Sequence, residues 1–166
     1  MKTQAEREEY RKRFVGIDFR REPERYRVGR GEEGVLSVEP YKSEILPHWR
    51  FKTPDVAEES ARKIYEMFLE YLKAGDFVGA DLARKFLQMG YTRSRRYANH
   101  ASGKKYTGEV PEHLRGISGA HGRAELPKET DEEKAESAQR FWVFYQRAKE
   151  NVQYQEMLKE HKEKYG

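Results

Sequence analysis

The chain has 166 residues, 37% of them charged and 36% hydrophobic, against roughly 25% charged and 45–50% apolar in an average soluble domain. Its 33 basic and 29 acidic residues leave a formal net charge of +4, too little by itself to imply a nucleic-acid partner. Cysteine is absent, which excludes disulfides, thiolate zinc sites and a cysteine nucleophile. No run approaches the ~18 apolar residues of a membrane span, and the start lacks the apolar core of a secretory signal; a cytoplasmic protein without a membrane partner is expected.

Eight Phe, eleven Tyr and two Trp argue against disorder in a chain this charged. The length suits one domain. Residues 1–14, alternating Glu with Arg and Lys, are expected to form a charged N-terminal arm, frayed or mobile, and residues 15–166 a single globular domain. Tyr26–Val28 and Val35–Val38 are short β-prone runs around a glycine-containing turn, which predicts a β-hairpin. Gly29, Gly31 and Gly34 spell G-x-G-x-x-G. A dinucleotide fingerprint needs a helix straight after the third glycine, and "VLSVEP" instead continues as a strand, so a turn is expected.

The next segment, interrupted by Pro40, Pro47 and Pro54, should be extended and irregular, with Ile45, Leu46, Trp49 and Phe51 capping the core. Trp49 could be a buried anchor or an exposed wedge against a base. Thr53 and Pro54 then supply an N-cap and an N1 proline, and Ala57, Ala61, Ile64, Tyr65, Phe68 and Leu72 keep helical spacing up to Gly75. Asp76 can cap a second helix that Gly90 should stop, and the short link makes the two an antiparallel pair. A brief helical stretch follows from Thr92. Ala101–Lys128, with five glycines and two prolines, reads as a long basic and glycine-rich loop. Thr130 and Glu133 have the spacing of a capping box for a C-terminal helix carrying Ala135, Ala138, Phe141, Trp142, Tyr145 and Ala148 on one stripe, either one long helix or two shorter ones. The expected fold class is α+β, mainly α: a small β-hairpin, an antiparallel helix pair, a long basic loop and a long C-terminal helix.

The motifs "KSEILPHWRFKTP", "ARKFLQMG" and "RRYANH" give the chain its resemblance to a known family. It resembles the domain of unknown function 4385 family, small proteins mainly from bacteria and their phages, over roughly residues 17–160. The resemblance implies one coherent domain and carries no catalytic or binding role to any residue.

Charge distribution is the main functional signal. From Leu82 to Gly108 the chain carries Arg84, Lys85, Arg93, Arg95, Arg96, Lys104 and Lys105 without one Asp or Glu. Tyr97, His100 and Tyr106 are interleaved with these cations, and Asn99 lies among them. Guanidinium and ammonium groups neutralise phosphates, aromatic faces stack on unpaired bases, and an amide can reach base edges or sugars. Arg50 and Lys52 could extend the patch. A DNA- or RNA-binding surface is therefore expected, with backbone, single-stranded or distorted contacts, because no recognition-helix motif points to duplex readout. Two other readings stay open. An enzyme acting on nucleic acid by phosphodiester or glycosidic chemistry would use His48 or His100 as general base with a nearby arginine. An interaction adaptor would use the charged C-terminal helix with a protein partner, and that helix's carboxylates could equally pair with the central arginines. No compact histidine spacing suggests a metal, and no cofactor is expected.

Overall fold

The computed structural model describes residues 3–99, 106, 108–114, 119–124 and 131–166. The expected α+β class is corrected: six α-helices and three short 3-10 turns are the regular elements of the described residues, and no strand occurs among them. Helix α1 (Gln4–Lys12) opens on a capping box between Thr3 and Glu6. It continues through ring contacts from Tyr10 to Phe14 and from Phe14 to the buried Phe19.

The hairpin is missing because the backbone groups it would pair have other partners. The N–H groups of Glu33, Val35 and Ser37 donate to the carbonyls of Arg30, Glu32 and Gly34, winding this segment into successive turns. The carbonyls of Val28, Gly31 and Glu33 accept instead from side chains of a distant helix. Tyr26, Val28, Val35 and Val38 are nonetheless buried, so the apolar residues that suggested strands enter the core from turns. Gly29, Gly31 and Gly34 all adopt positive φ, 70°, 54° and 79°, as a turn requires.

The proline-punctuated segment is also more helical than expected. Helix α2 (Tyr41–Ile45) and a 3-10 turn at Leu46–His48 occupy it. Pro40 and Pro47 fall at helix starts, where the missing N–H has no intrahelical partner to lose, and the Glu39 carboxylate accepts from both the backbone and the hydroxyl of Ser43.

Helix α3 (Pro54–Lys73) begins where its signals place it, with Thr53 Oγ1 accepting from Val56 N–H. It buries Ala57, Ala61, Ile64, Phe68 and Leu72, and Gly75 at φ 73° turns the chain. Helix α4 (Phe77–Asn99) starts with Asp76 accepting from Gly79 N–H at 3.0 Å. It runs unbroken through Gly90, so the expected stop there is corrected. Nearly every residue from Phe77 to Gly90 is buried, because α3, helix α5 (Glu132–Glu150), helix α6 (Val152–Tyr165) and the turns of residues 26–35 pack around it. The C-terminal segment is two helices. Asn151 ends α5 in extended backbone and its side chain accepts from Tyr154 N–H, capping α6. Asp131 caps α5 by accepting from Lys134 N–H; Thr130, of the expected capping box, lies outside the described residues.

Candidate functional site

Two of the expected contact residues leave the surface altogether. Arg84 is 7% exposed and Lys85 1%, both turned into the core around Asp81, which is fully buried. Asp81 Oδ1 accepts from Arg84 Nη2 at 2.8 Å, from Arg84 Nε at 3.0 Å and from the Tyr154 hydroxyl at 2.6 Å. The Tyr26 hydroxyl donates to Oδ2. Lys85 Nζ lies 3.9 Å from that carboxylate and donates to the carbonyls of Val28 at 2.5 Å and Glu33 at 2.6 Å. Arg84 Nη1 completes the set with Gly31 O at 2.9 Å and Gln88 Oε1 at 3.0 Å. The assignment of Arg84 and Lys85 to a nucleic-acid surface is thus corrected: their charges are spent inside, tying the turns of residues 28–33 to α4. Asp81, three and four residues before them on the same helix face, was the signal in the sequence.

Burial works on every member of this cluster. It pushes the Asp81 carboxyl up, but Arg84, Lys85 and the two tyrosine hydroxyls outweigh it and hold the group below its ordinary range. It pushes the Tyr26 and Tyr154 hydroxyls up, with the Asp81 charge acting in the same direction. Lys85 is lowered from 10.5 to about 8, chiefly by burial, with Arg84 adding and Asp81 opposing.

A pH dependence follows. Between about 8 and 10.5 the unfolded chain holds a Lys85 proton that the folded chain has released, so stability rises with pH there. Above 10 the unfolded tyrosines ionise first while Tyr26 and Tyr154 stay protonated in the fold, so stability falls. Urea midpoints measured across this range are expected to peak near the top of the lysine window. The rise should reach about 2–3 kcal/mol at 1.36 kcal/mol per unit, and Lys85→Met should abolish it; a profile that is flat in the native chain would refute the assignment.

The cations that remain at the surface gather where α4 ends. Arg93 and Arg95 are half-buried, Arg96 is exposed, and Ser94 and Ala98 between them face the core. The Tyr97 ring lies 5.7 Å from that of Phe51, which brings the segment before α3, with exposed Arg50 and Lys52, to the end of α4. That segment is held by Arg50 N–H donating to Ser60 Oγ at 2.9 Å and by Lys134 Nζ donating to the Lys52 carbonyl at 2.6 Å. The start of α5 abuts the same place through Asp131 N–H to Ala98 O at 2.8 Å.

The alternative in which α5 and α6 neutralise the central arginines finds no pair to support it. Among the described residues, Arg93, Arg95 and Arg96 have no carboxylate oxygen within the 4.0 Å of a salt bridge. One carboxylate of the terminal helices, Glu136, is engaged elsewhere and with Glu58 of α3 holds Arg140. Asn99 is the last residue of α4 and is half-buried. Tyr106 is half-buried under the Arg123 guanidinium, 5.0 Å from its ring centre. His100, Lys104 and Lys105 lie outside the described residues. His48 is exposed, and the hydrogen bond at this residue is made by its carbonyl, which accepts from Ser60 Oγ. Among the described residues, no hydrogen bond joins its ring to an arginine. Trp49 resolves toward the anchor: its ring is half-buried and Nε1 donates to the Phe86 carbonyl at 3.1 Å. Among the described residues, no group of three His, Asp or Glu side chains could hold a metal ion, and no helix is long and apolar enough to cross a membrane.

An all-helical domain with a basic helix end, folded around a buried ion cluster, is the class these features define. Its family follows from comparison: the family model described as domain of unknown function (DUF4385) matches residues 9–164, and the chain belongs to that family. No curated protein and no solved structure shows significant similarity to it.

Proposed function

We propose that the protein binds nucleic acid, in the cytoplasm, through the cations at the end of α4 and the segment before α3. The supporting observation is that Arg93, Arg95 and Arg96 project from two consecutive helical turns with no carboxylate of the described residues in salt-bridge range, beside exposed Arg50 and Lys52. Elsewhere on this protein some arginines have carboxylate partners, as Arg20 has Glu44, Arg62 has Glu58 and Arg140 has Glu136, and others such as Arg27 and Arg147 stand without one among the described residues, so what marks the end of α4 is that its cations lie together. Cations clustered without such partners attract phosphates, and counterion release supplies the affinity. The carbonyl end of a helix also favours positive charge, which stabilises the cluster where it stands.

Replacing Arg93, Arg95 and Arg96 together by alanine is expected to weaken oligonucleotide binding and to lower the slope of log K against log salt by about 2–3, at 0.7–0.9 per phosphate contact. Anisotropy titrations at several potassium chloride concentrations give that slope, and circular dichroism checks the fold. An unchanged slope would place the surface elsewhere.

A further inference from the structure

The end of α4 presents aromatic rings as well as charges. Four rings form a chain from the core outward: Phe86 to Trp49 at 6.3 Å, Trp49 to Phe51 at 5.1 Å, and Phe51 to Tyr97 at 5.7 Å. Phe86 is fully buried, and the bond from Trp49 Nε1 to the Phe86 carbonyl fixes the inner end. Phe51 and Tyr97 at the outer end each keep part of their surface in solvent. Arg50 and Lys52 flank Phe51 in the chain, and Arg93 lies one helical turn before Tyr97 on the same face.

Cations occupy the faces of several rings elsewhere in the molecule. Guanidinium groups lie over the rings of Tyr41, Phe144 and Tyr10. Among the described residues, no cation covers Phe51 or Tyr97. The rings stay available for a flat apolar ligand while the neighbouring cations stay available for anions. A duplex offers such a site only its phosphates, since its bases are already stacked on each other. An unpaired strand offers alternating phosphates and open base faces, which matches alternating cations and rings.

We infer that the ligand is a single-stranded nucleic acid whose bases stack on Phe51 and Tyr97 while Arg50, Lys52, Arg93 and Arg96 hold the phosphates on either side. The inference rests on the nucleic-acid reading above and adds to it the kind of strand and the groups that recognise it.

The experiment compares labelled oligonucleotides of ~12 nucleotides, within the site sizes usual for such surfaces, against the full chain at one salt concentration. The probes are a mixed-sequence single strand, as DNA and as RNA, an abasic DNA strand of the same length, and a DNA duplex. The base-bearing strands are expected to bind roughly tenfold or more tightly than the abasic one. Phe51→Leu and Tyr97→Leu, which keep the apolar packing, should shrink that gap and leave abasic binding unchanged, and Tyr97→Phe should restore it. Equal binding of base-bearing and abasic strands, tighter binding of the duplex, or a gap that survives both leucine variants overturns the stacking role while leaving a phosphate-binding surface intact. Failure of every oligonucleotide to bind removes the nucleic-acid reading itself.

Discussion

Asp81→Asn is expected to destabilise the fold by about 3–5 kcal/mol, the range for removing one partner of a buried ion pair. Among the described residues, the carboxylate is the only one in salt-bridge range of two cations that are almost wholly out of solvent. Asparagine is nearly isosteric, so packing is preserved. What changes is that Arg84 and Lys85 keep only neutral acceptors, Gly31, Gln88, Val28 and Glu33. The new amide also turns hydrogens toward groups that now donate to Asp81. Tyr154→Phe, by contrast, removes one donor and leaves the ion pair, and should cost about 1–3 kcal/mol. Denaturant titrations of both variants measure the difference. A second readout separates charge from packing: with its anion gone, Lys85 sheds its proton at lower pH than the native value of about 8, so Asp81→Asn should recover part of its loss as pH rises toward about 8. A loss below about 1 kcal/mol for Asp81→Asn would mean that the cluster carries little of the fold.

This cluster also shows where a sequence stops being readable. Helix α3 was legible because its evidence is local: an N-cap, a proline at the first helical position, apolar residues at helical spacing and a glycine at the end. The β-prone runs at Tyr26 and Val35 carried equally local evidence, and it failed. Their backbone was claimed by Arg84 and Lys85, more than fifty residues further along, and no propensity registers such a partner. Counting charges along Leu82–Gly108 found the arginines at the end of α4 but could not tell them from two cations in its buried half. Only the position of Asp81 on the same face distinguishes them. The pairing of Phe51 with Tyr97 had no sequence signal at all, because it depends on how the segment before α3 crosses the end of α4.

Gly90 makes the same point in a form that a mutation can test, since Gly90→Ala is expected to destabilise the protein by about 2–3 kcal/mol. Inside a helix this change would ordinarily add stability of up to about 1 kcal/mol, and at a left-handed helix stop it would cost a similar amount. Neither case applies. Gly90 is buried in the middle of α4 with no positive φ, and a Cβ there would sit under 3.0 Å from three carbons of the Phe141 ring, which is itself fully buried. The glycine allows α4 and α5 to approach, and overpacking at such a contact costs about 1–3 kcal/mol or more. In a chain of this size the melting temperature should fall by about 5–10 °C. A double-mutant cycle decides the cause: Phe141→Leu removes the ring that obstructs the new methyl, so Gly90→Ala should cost much less in that background than in the native one. Equal costs in the two backgrounds would return Gly90 to a purely local role and leave the close approach of the two helices without energetic weight.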